Sequence, residues 1–114
     1  MYVKDFYQTE KDVRPECVCY FILPKGEVGR LSAGIVDIQP GGVSLSEAHT
    51  EWRQVFFVIE GTGTLVIDDR EEVRVGPATV AEIPFAADHK VIADPGVKLR
   101  YLFVNDYSQP VGKG

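Results

Sequence analysis

The sequence predicts an all-β domain of the jelly-roll type, and three observations support this fold class. Glycine and proline recur roughly every eight to twelve residues, which is the spacing of turns between short strands. The intervals are rich in Val, Ile, Phe and Tyr, which favour strands. The start and stop signals of helices are nearly absent. The pattern therefore predicts about eight strands in an antiparallel double sheet, or double-stranded β-helix.

The turn residues divide the chain into candidate strands. Gly61 and Gly63 flank a tight turn, and Asp68-Asp69-Arg70 is a polar turn between two short strands. In chain order, the predicted strands are Cys17–Leu23, Leu31–Gln39, Gln54–Glu60, Thr64–Ile67, Glu72–Val75, Thr79–Ile83, Lys90–Ala93 and Lys98–Asn105.

Two of these strands contain continuous apolar runs instead of alternating polar and apolar residues. The runs are Val55–Ile59 and Tyr101–Val104. A strand of this kind is buried on both faces. We therefore expect the barrel interior to cover one face, and the opposite sheet or a second subunit to cover the other.

Composition bounds the domain count and the kinds of partner. With 114 residues, the chain is predicted to be one domain spanning 1–114. The net charge of -5 and the lack of a basic cluster argue against a nucleic-acid partner. No apolar run approaches the roughly 20 residues of a membrane helix. The first residues carry no secretory signal pattern, which favours a cytoplasmic location.

The two cysteines fit a reducing compartment. Cys17 and Cys19 are two apart on a predicted strand, so their side chains face the same way and are poorly placed for an unstrained disulfide. A structural zinc site would need a second ligand pair, which C-x-C alone does not supply. Reduced thiols are the expected state.

The segment from the turn at Gly42 to Gly61 carries the first motif with chemical content. It contains turn residues, a polar stretch and an apolar run that stops at glycine. It resembles the first motif of the cupin family, G-x5-H-x-H-x(3–4)-E-x6-G. Anchored on Gly61, the spacing places Gln54 at the family's glutamate position, and His49 and Glu47 at the two histidine positions.

A second segment resembles the second cupin motif, G-x5-P-x-G-x2-H-x3-N. It begins at Gly76, and Pro84 comes later than the motif places it, while His89 is correctly spaced from that proline. Ala86 replaces the usual glycine and Ala93 the usual asparagine. The combined resemblance covers residues 31 to 106 and implies a cupin barrel.

The resemblance implies a metal centre at Glu47, His49, Gln54 and His89. Two histidines and one carboxylate are the donors of many open divalent sites, and Glu47 and His49 face the same way on a strand. Fe(II), Mn(II), Ni(II) and Zn(II) all suit this set. An alternative register uses Glu51 with His49, but Glu47 preserves the longer family spacing. A barrel that has lost its metal is the other reading, with Gln54 as a buried amide.

Aromatic residues on neighbouring strands are weaker candidates for a substrate pocket. These are Phe56, Tyr101 and Phe103, of which the last two share one face of their strand. Tyr101 carries a phenol that can donate or accept a proton, although core packing explains these residues as well. Trp52 and Arg53 are candidates to gate the pocket.

The resemblance leaves several functions open. A metal-dependent enzyme acting on a small polar substrate, of oxygenase, isomerase or lyase type, is the first hypothesis. Glutamine at a ligand position is similar to some sugar-processing cupins, which tilts the expectation toward a sugar or sugar acid. The alternatives are a non-catalytic small-molecule-binding or sensor cupin, and a purely structural barrel. The segment 1–16 is similar to the arm by which small cupins pair at a dimer edge, which implies a homodimer.

Overall fold

The computed structural model describes residues 1–48 and 52–107, with the backbone alone at Glu47 and Ala48. Its strands, in chain order, are β1 (Lys11–Val13), β2 (Cys17–Val28), β3 (Leu31–Ile38), β4 (Glu47–Ala48), β5 (Arg53–Glu60), β6 (Gly63–Ile67), β7 (Glu71–Val75), β8 (Val80–Ile83), β9 (Asp88–Ala93) and β10 (Leu99–Asp106). Each predicted strand has its counterpart in this set, and the additions are the short β1 and β4.

The strands form two antiparallel sheets. One has six strands in the order β1-β2-β3-β10-β5-β8, and the other has four in the order β4-β9-β6-β7. Neighbouring strands are mostly distant in sequence, as in a jelly roll in which the chain passes repeatedly from one sheet to the other. The all-β fold class predicted from the sequence is confirmed.

The core lies between the two sheets. The largest fully buried side chains belong to Ile38, Phe56, Val58, Val91 and Leu99, each no more than 1% exposed. They come from strands of both sheets. Burial of apolar surface from both layers is therefore what joins the sheets.

The apolar run in β5 is covered on one face only within the chain. Its inward residues are buried, whereas Val55, Phe57 and Ile59 are 41%, 42% and 43% exposed. The opposite sheet does not cover this outer face. The expectation that the opposite sheet covers this face is therefore wrong, and cover by a second subunit stays a prediction.

The N-terminal segment packs against its own chain. A short 3₁₀ helix spans Phe6–Gln8, and β1 pairs antiparallel with β2. The Tyr2 hydroxyl donates a hydrogen bond to the Ile22 carbonyl at 2.7 Å. The segment therefore extends the six-stranded sheet by one edge strand.

Two landmark positions of the sequence motifs have left-handed backbone. Gly61 has φ +87, and a Cβ there would collide with the Lys98 carbonyl, so the glycine is required. Ala86 has φ +65 although it carries a side chain. The second motif has glycine at this position, which is the residue that this conformation favours.

In the described ranges, no helix is long and apolar enough to cross a membrane.

Candidate metal centre and ligand cavity

A cavity of about 350 Å³ enters the barrel from the side of β2, β3 and β10. Its volume falls within the ~300–1,000 Å³ typical of small-molecule sites. Most of its wall is apolar. The principal apolar side chains are those of Phe21, Leu23, Val36, Leu45, Tyr101 and Phe103.

Two of the predicted metal ligands reach this cavity from opposite sheets. His89 lies on β9 of the four-stranded sheet and is 5% exposed, and Gln54 lies on β5 of the six-stranded sheet and is 6% exposed. Glu47 pairs with His89 in the antiparallel register of β4 and β9. The predicted ligand His49 and the alternative ligand Glu51 lie outside the described residues.

The positions of His89 and Gln54 are compatible with a metal centre. His89 supplies an imidazole and Gln54 an amide oxygen to one buried cavity, and both are donors for divalent first-row metals. The described side chains contain no group of three or more His, Cys, Asp or Glu residues able to hold an ion. A complete ligand set would therefore need donors beyond the described side chains, and the donors predicted from the sequence are Glu47 and His49.

A row of hydrogen bonds runs from Gln54 across neighbouring strands. Gln54 Nε2 donates to Asn105 Oδ1 at 2.9 Å, and Asn105 Nδ2 donates to Ser32 Oγ at 3.1 Å. Ser32 Oγ lies 3.1 Å from the Tyr107 hydroxyl oxygen. Asn105 is the direct register partner of both Gln54 and Ser32, so the sheet itself sets this order.

Charged residues lie at the exposed end of the cavity, which we call the mouth: Asp12, Arg14 and Lys25. Arg14 Nε contacts both carboxylate oxygens of Asp12 at 3.0 Å. The Lys25 ammonium lies 4.4 Å from the centre of the Tyr107 ring, a cation–π geometry. The Trp52 ring packs beside the same tyrosine, with centroids 5.1 Å apart.

Both cysteines line the cavity and are free thiols. Burial raises the pKa of the Cys17 thiol above its ordinary value of 9.0. The thiolate is the form of cysteine that binds metals and attacks electrophiles, and burial disfavours this form of Cys17.

Of the three aromatic residues predicted for the substrate pocket, two line the cavity and one does not. Tyr101 and Phe103 line the cavity, whereas Phe56 is 1% exposed in the core and packs on Tyr101 with ring centroids 4.9 Å apart. Trp52 is half-buried and packs against Tyr107 at the mouth. Arg53 begins β5 and is exposed outside the cavity lining.

Sequence reasoning missed several residues of the cavity. Four lining residues lie outside the two sequence motifs that predict the site, namely Lys25, Ser32, Asn105 and Tyr107. Polar residues within or beside apolar strands were the available signal, because a buried polar side chain needs a partner. Their pairing, however, follows from strand order and register, which no local pattern supplies.

A family model described as the cupin domain matches residues 34–105. The chain belongs to the cupin family. No curated protein matches the sequence. The cupin family contains enzymes and binding proteins on one scaffold, so function rests on the site and not on the fold.

Solved structures with the same fold include proteins with different chemistries. The polyketide cyclase RemF from Streptomyces resistomycificus has a TM-score of 0.78 and 24% identity, covering 96% of this chain and 82% of its own. A predicted oxalate decarboxylase from Thermotoga maritima has a TM-score of 0.80 and 12% identity, with coverage of 93% and 99%. A sugar phosphate isomerase from Silicibacter pomeroyi has a TM-score of 0.72 and 20% identity, with coverage of 90% and 73%. At these identities the likeness shows the fold alone.

Proposed function

We propose that this cupin is a metal-dependent enzyme acting on a small molecule with a flat apolar body and an acidic group. The observation that carries the proposal is one cavity in which a buried histidine and a buried glutamine face aromatic walls. A divalent metal, held by His89 and Gln54 with Glu47 and His49, would polarise a carbonyl or enol oxygen of the substrate.

The walls support a largely apolar substrate. Phe103 and Tyr101 supply ring faces, and the buried Val36 adds aliphatic surface to the wall. A sugar requires polar partners around most of its surface, whereas most of the surface of this cavity is apolar. We therefore prefer an aromatic or polyketone-like substrate to the sugar or sugar acid suggested by glutamine at the ligand position. The polyketide cyclase among the structural neighbours is compatible with this preference.

The mouth supports an acidic group on the substrate. Among the described residues, Arg14 is paired with Asp12, while no carboxylate lies within ion-pair distance of Lys25. The mouth therefore carries a local positive charge in a protein whose net charge is -5. A carboxylate of the substrate at Lys25 would leave the apolar body directed inward.

Tyr101 is a phenol that lines the cavity, and it is 6% exposed. In this proposal its hydroxyl donates a proton to, or accepts one from, the substrate oxygen as charge develops on that atom. Tyr107 lies farther out, where its ring contacts Lys25 and Trp52 and shapes the entrance.

The proposal is tested on protein reconstituted separately with Fe(II), Mn(II), Ni(II) and Zn(II). Each form is incubated with 1-hydroxy-2-naphthoate, with its neutral methyl ester and with a sugar phosphate, and products and oxygen uptake are measured. We expect turnover of the acid, weaker turnover of the ester and none in His89→Ala. Turnover of the sugar phosphate alone would overturn the substrate class. Binding of the acid without turnover of any compound would favour the non-catalytic binding function instead.

We also propose that the protein is a homodimer joined through the outer face of the six-stranded sheet. Val55, Phe57 and Val104 are exposed on this face, and Val80 on β8 is 65% exposed beside them. Contiguous apolar patches of this kind mark interfaces. Exposed Arg53 and Glu82 on the same face supply both signs of charge, as a self-complementary twofold contact needs. The second copy is the cover that the apolar run of β5 lacks within its own chain.

A further inference from the structure

The amide of Gln54 has two ends, and only one of them is a metal donor. An amide oxygen coordinates a divalent ion, whereas its NH₂ group repels one. Gln54 is buried, so its NH₂ group also needs an acceptor inside the protein. The residue that supplies this acceptor decides which end of the amide faces the cavity.

We infer that Asn105 is a positioning residue that sets the orientation of Gln54. Asn105 Oδ1 accepts from Gln54 Nε2 at 2.9 Å, which leaves Gln54 Oε1 as the atom available to the cavity. This inference rests on the proposed metal site, whose amide donor it specifies. Asn105 is 6% exposed and borders the same cavity, and its hydrogen bond to Gln54 is the contact through which it acts on the proposed site.

Asn105 is held in turn by hydroxyl groups. Its Nδ2 donates to Ser32 Oγ, and Ser32 contacts the Tyr107 hydroxyl. Three of these four groups are at most 7% exposed, namely Gln54, Asn105 and Ser32. An apolar row at this level of the sheet would avoid burying these polar groups, and the polar row couples the amide direction of Gln54 to that of Asn105.

The row of hydrogen bonds from Gln54 to Tyr107 can run in either of two directions. Hydroxyls both donate and accept, so the whole row is also consistent in the opposite direction, with Asn105 Nδ2 donating to Gln54 Oε1 and Ser32 donating to Asn105. A carboxylate at position 105 only accepts. Asn105→Asp therefore permits one direction alone, the one in which Gln54 turns its NH₂ inward and its oxygen to the cavity.

The variants to compare are Asn105→Asp, Asn105→Leu and Ile83→Val. Ile83 is the register partner of Gln54 on its other side and is 4% exposed, so the last variant disturbs packing beside Gln54 and leaves the row intact. Co(II) binding is followed by visible absorbance, and the melting temperature of each metal-free protein is recorded.

We expect Asn105→Leu to raise the Kd for Co(II) by about 10–100-fold, the usual cost of losing a residue that orients a ligand, and to alter the visible spectrum. Asn105→Asp should keep both the wild-type spectrum and an affinity at least as high. Ile83→Val should lower the melting temperature without changing the Kd or the spectrum. An unchanged Kd and spectrum in Asn105→Leu would overturn the inference, even if that variant were less stable.

A measurement without metal separates this inference from the proposed function. In metal-free protein, NMR exchange of the Gln54 Nε2 protons with water should be slow in wild type and Asn105→Asp, and fast in Asn105→Leu. Equal exchange in all three proteins would overturn the positioning role. Wild type that takes up no Co(II) but shows this exchange pattern would overturn the metal function and leave the orientation of Gln54 supported.

Discussion

At the scale of single residues, the candidate site follows from side chains placed on rigid strands. His89 and Gln54 were identified from motif spacing, and the structure brings both to one cavity. Their polar neighbours Asn105 and Ser32 were not identified. The reason is physical: a motif records separations along one strand and its turns, whereas these contacts cross strands separated by 51 and 73 residues of sequence.

Gln54→Glu tests how the polar row tolerates a charge. The carboxylate only accepts, so Asn105 must turn its amide and donate Nδ2 to it, while Ser32 donates to Asn105. Because the row is consistent in that direction, we expect a folded protein. The added negative charge should retain or tighten metal binding. Isothermal titration with Ni(II) checks this, with Gln54→Leu as the control that removes the donor. Loss of binding in Gln54→Glu would mean that Gln54 is a packing amide.

Asp94 makes one contribution to stability depend on pH. Hydrogen bonds from Arg74 and then Thr62 hold the pKa of Asp94 at about 2, below its ordinary value of 3.8. A carboxyl with a lowered folded pKa stabilises the fold fully above its unfolded pKa, and this contribution is lost as the pH falls toward 2. Asp94→Asn should therefore weaken the dependence of the free energy of unfolding on pH between pH 3.8 and about 2.

Urea unfolding at a series of acidic pH values measures this difference. Asp68→Asn, in the turn between β6 and β7, is the control for removing one negative charge elsewhere. Identical pH profiles for wild type and Asp94→Asn would contradict the assigned role of the Arg74 pair.

At the scale of elements, turn residues and apolar content located the predicted strands. The structure adds β1 and β4, which have three and two residues. Such short segments carry too few residues for a periodic pattern, and pairing with β2 and β9 is what makes them strands. β2 also runs through Pro24 to Val28, because its pairing with β3 continues irregularly past the proline.

Gly34→Ala tests how closely β3 and β10 shape the cavity. Gly34 is the register partner of Phe103, and an added Cβ would meet the end of that ring. The ring must move into the cavity that it lines. We expect a folded variant, destabilised by about 1–3 kcal/mol as in overpacked cores. The affinity for 1-hydroxy-2-naphthoate should fall.

A fluorescence titration measures that affinity, and Gly26→Ala is the control because a Cβ there meets nothing within 4 Å. That control carries its own backbone strain, since Gly26 has φ +100. Unchanged affinity in Gly34→Ala would show that the ligand does not reach Phe103.

At the scale of the whole molecule, the six-stranded sheet has two different faces. The inner face forms the core and the cavity wall, and the outer face carries exposed apolar residues of β5, β8 and β10. The apolar run in β5 predicted that both faces of the strand are covered. Apolar content alone did not distinguish cover by the opposite sheet from cover by a second copy of the chain. The alternation of exposed and buried side chains along β5 shows which face is left uncovered within the chain.

Phe57→Lys tests the proposed dimer. Phe57 is 42% exposed at the centre of the outer face, where a second copy would desolvate the new charge. We expect monomers in sedimentation velocity at concentrations where wild type is dimeric. Val73→Lys is the matched control, because Val73 is 44% exposed on the four-stranded sheet. A dimer that survives Phe57→Lys, or that dissociates equally in Val73→Lys, would contradict this interface.

Elemental analysis by mass spectrometry measures whether a metal is held inside the barrel. The protein is purified without an affinity tag or chelator, and wild type is compared with His89→Ala and His49→Ala. We expect nearly one Fe, Mn, Ni or Zn per chain in wild type and none in either variant, with the fold retained by circular dichroism. Unchanged metal content in the variants, or a wild type that takes up none of these four metals when they are added, would contradict the proposed metal centre.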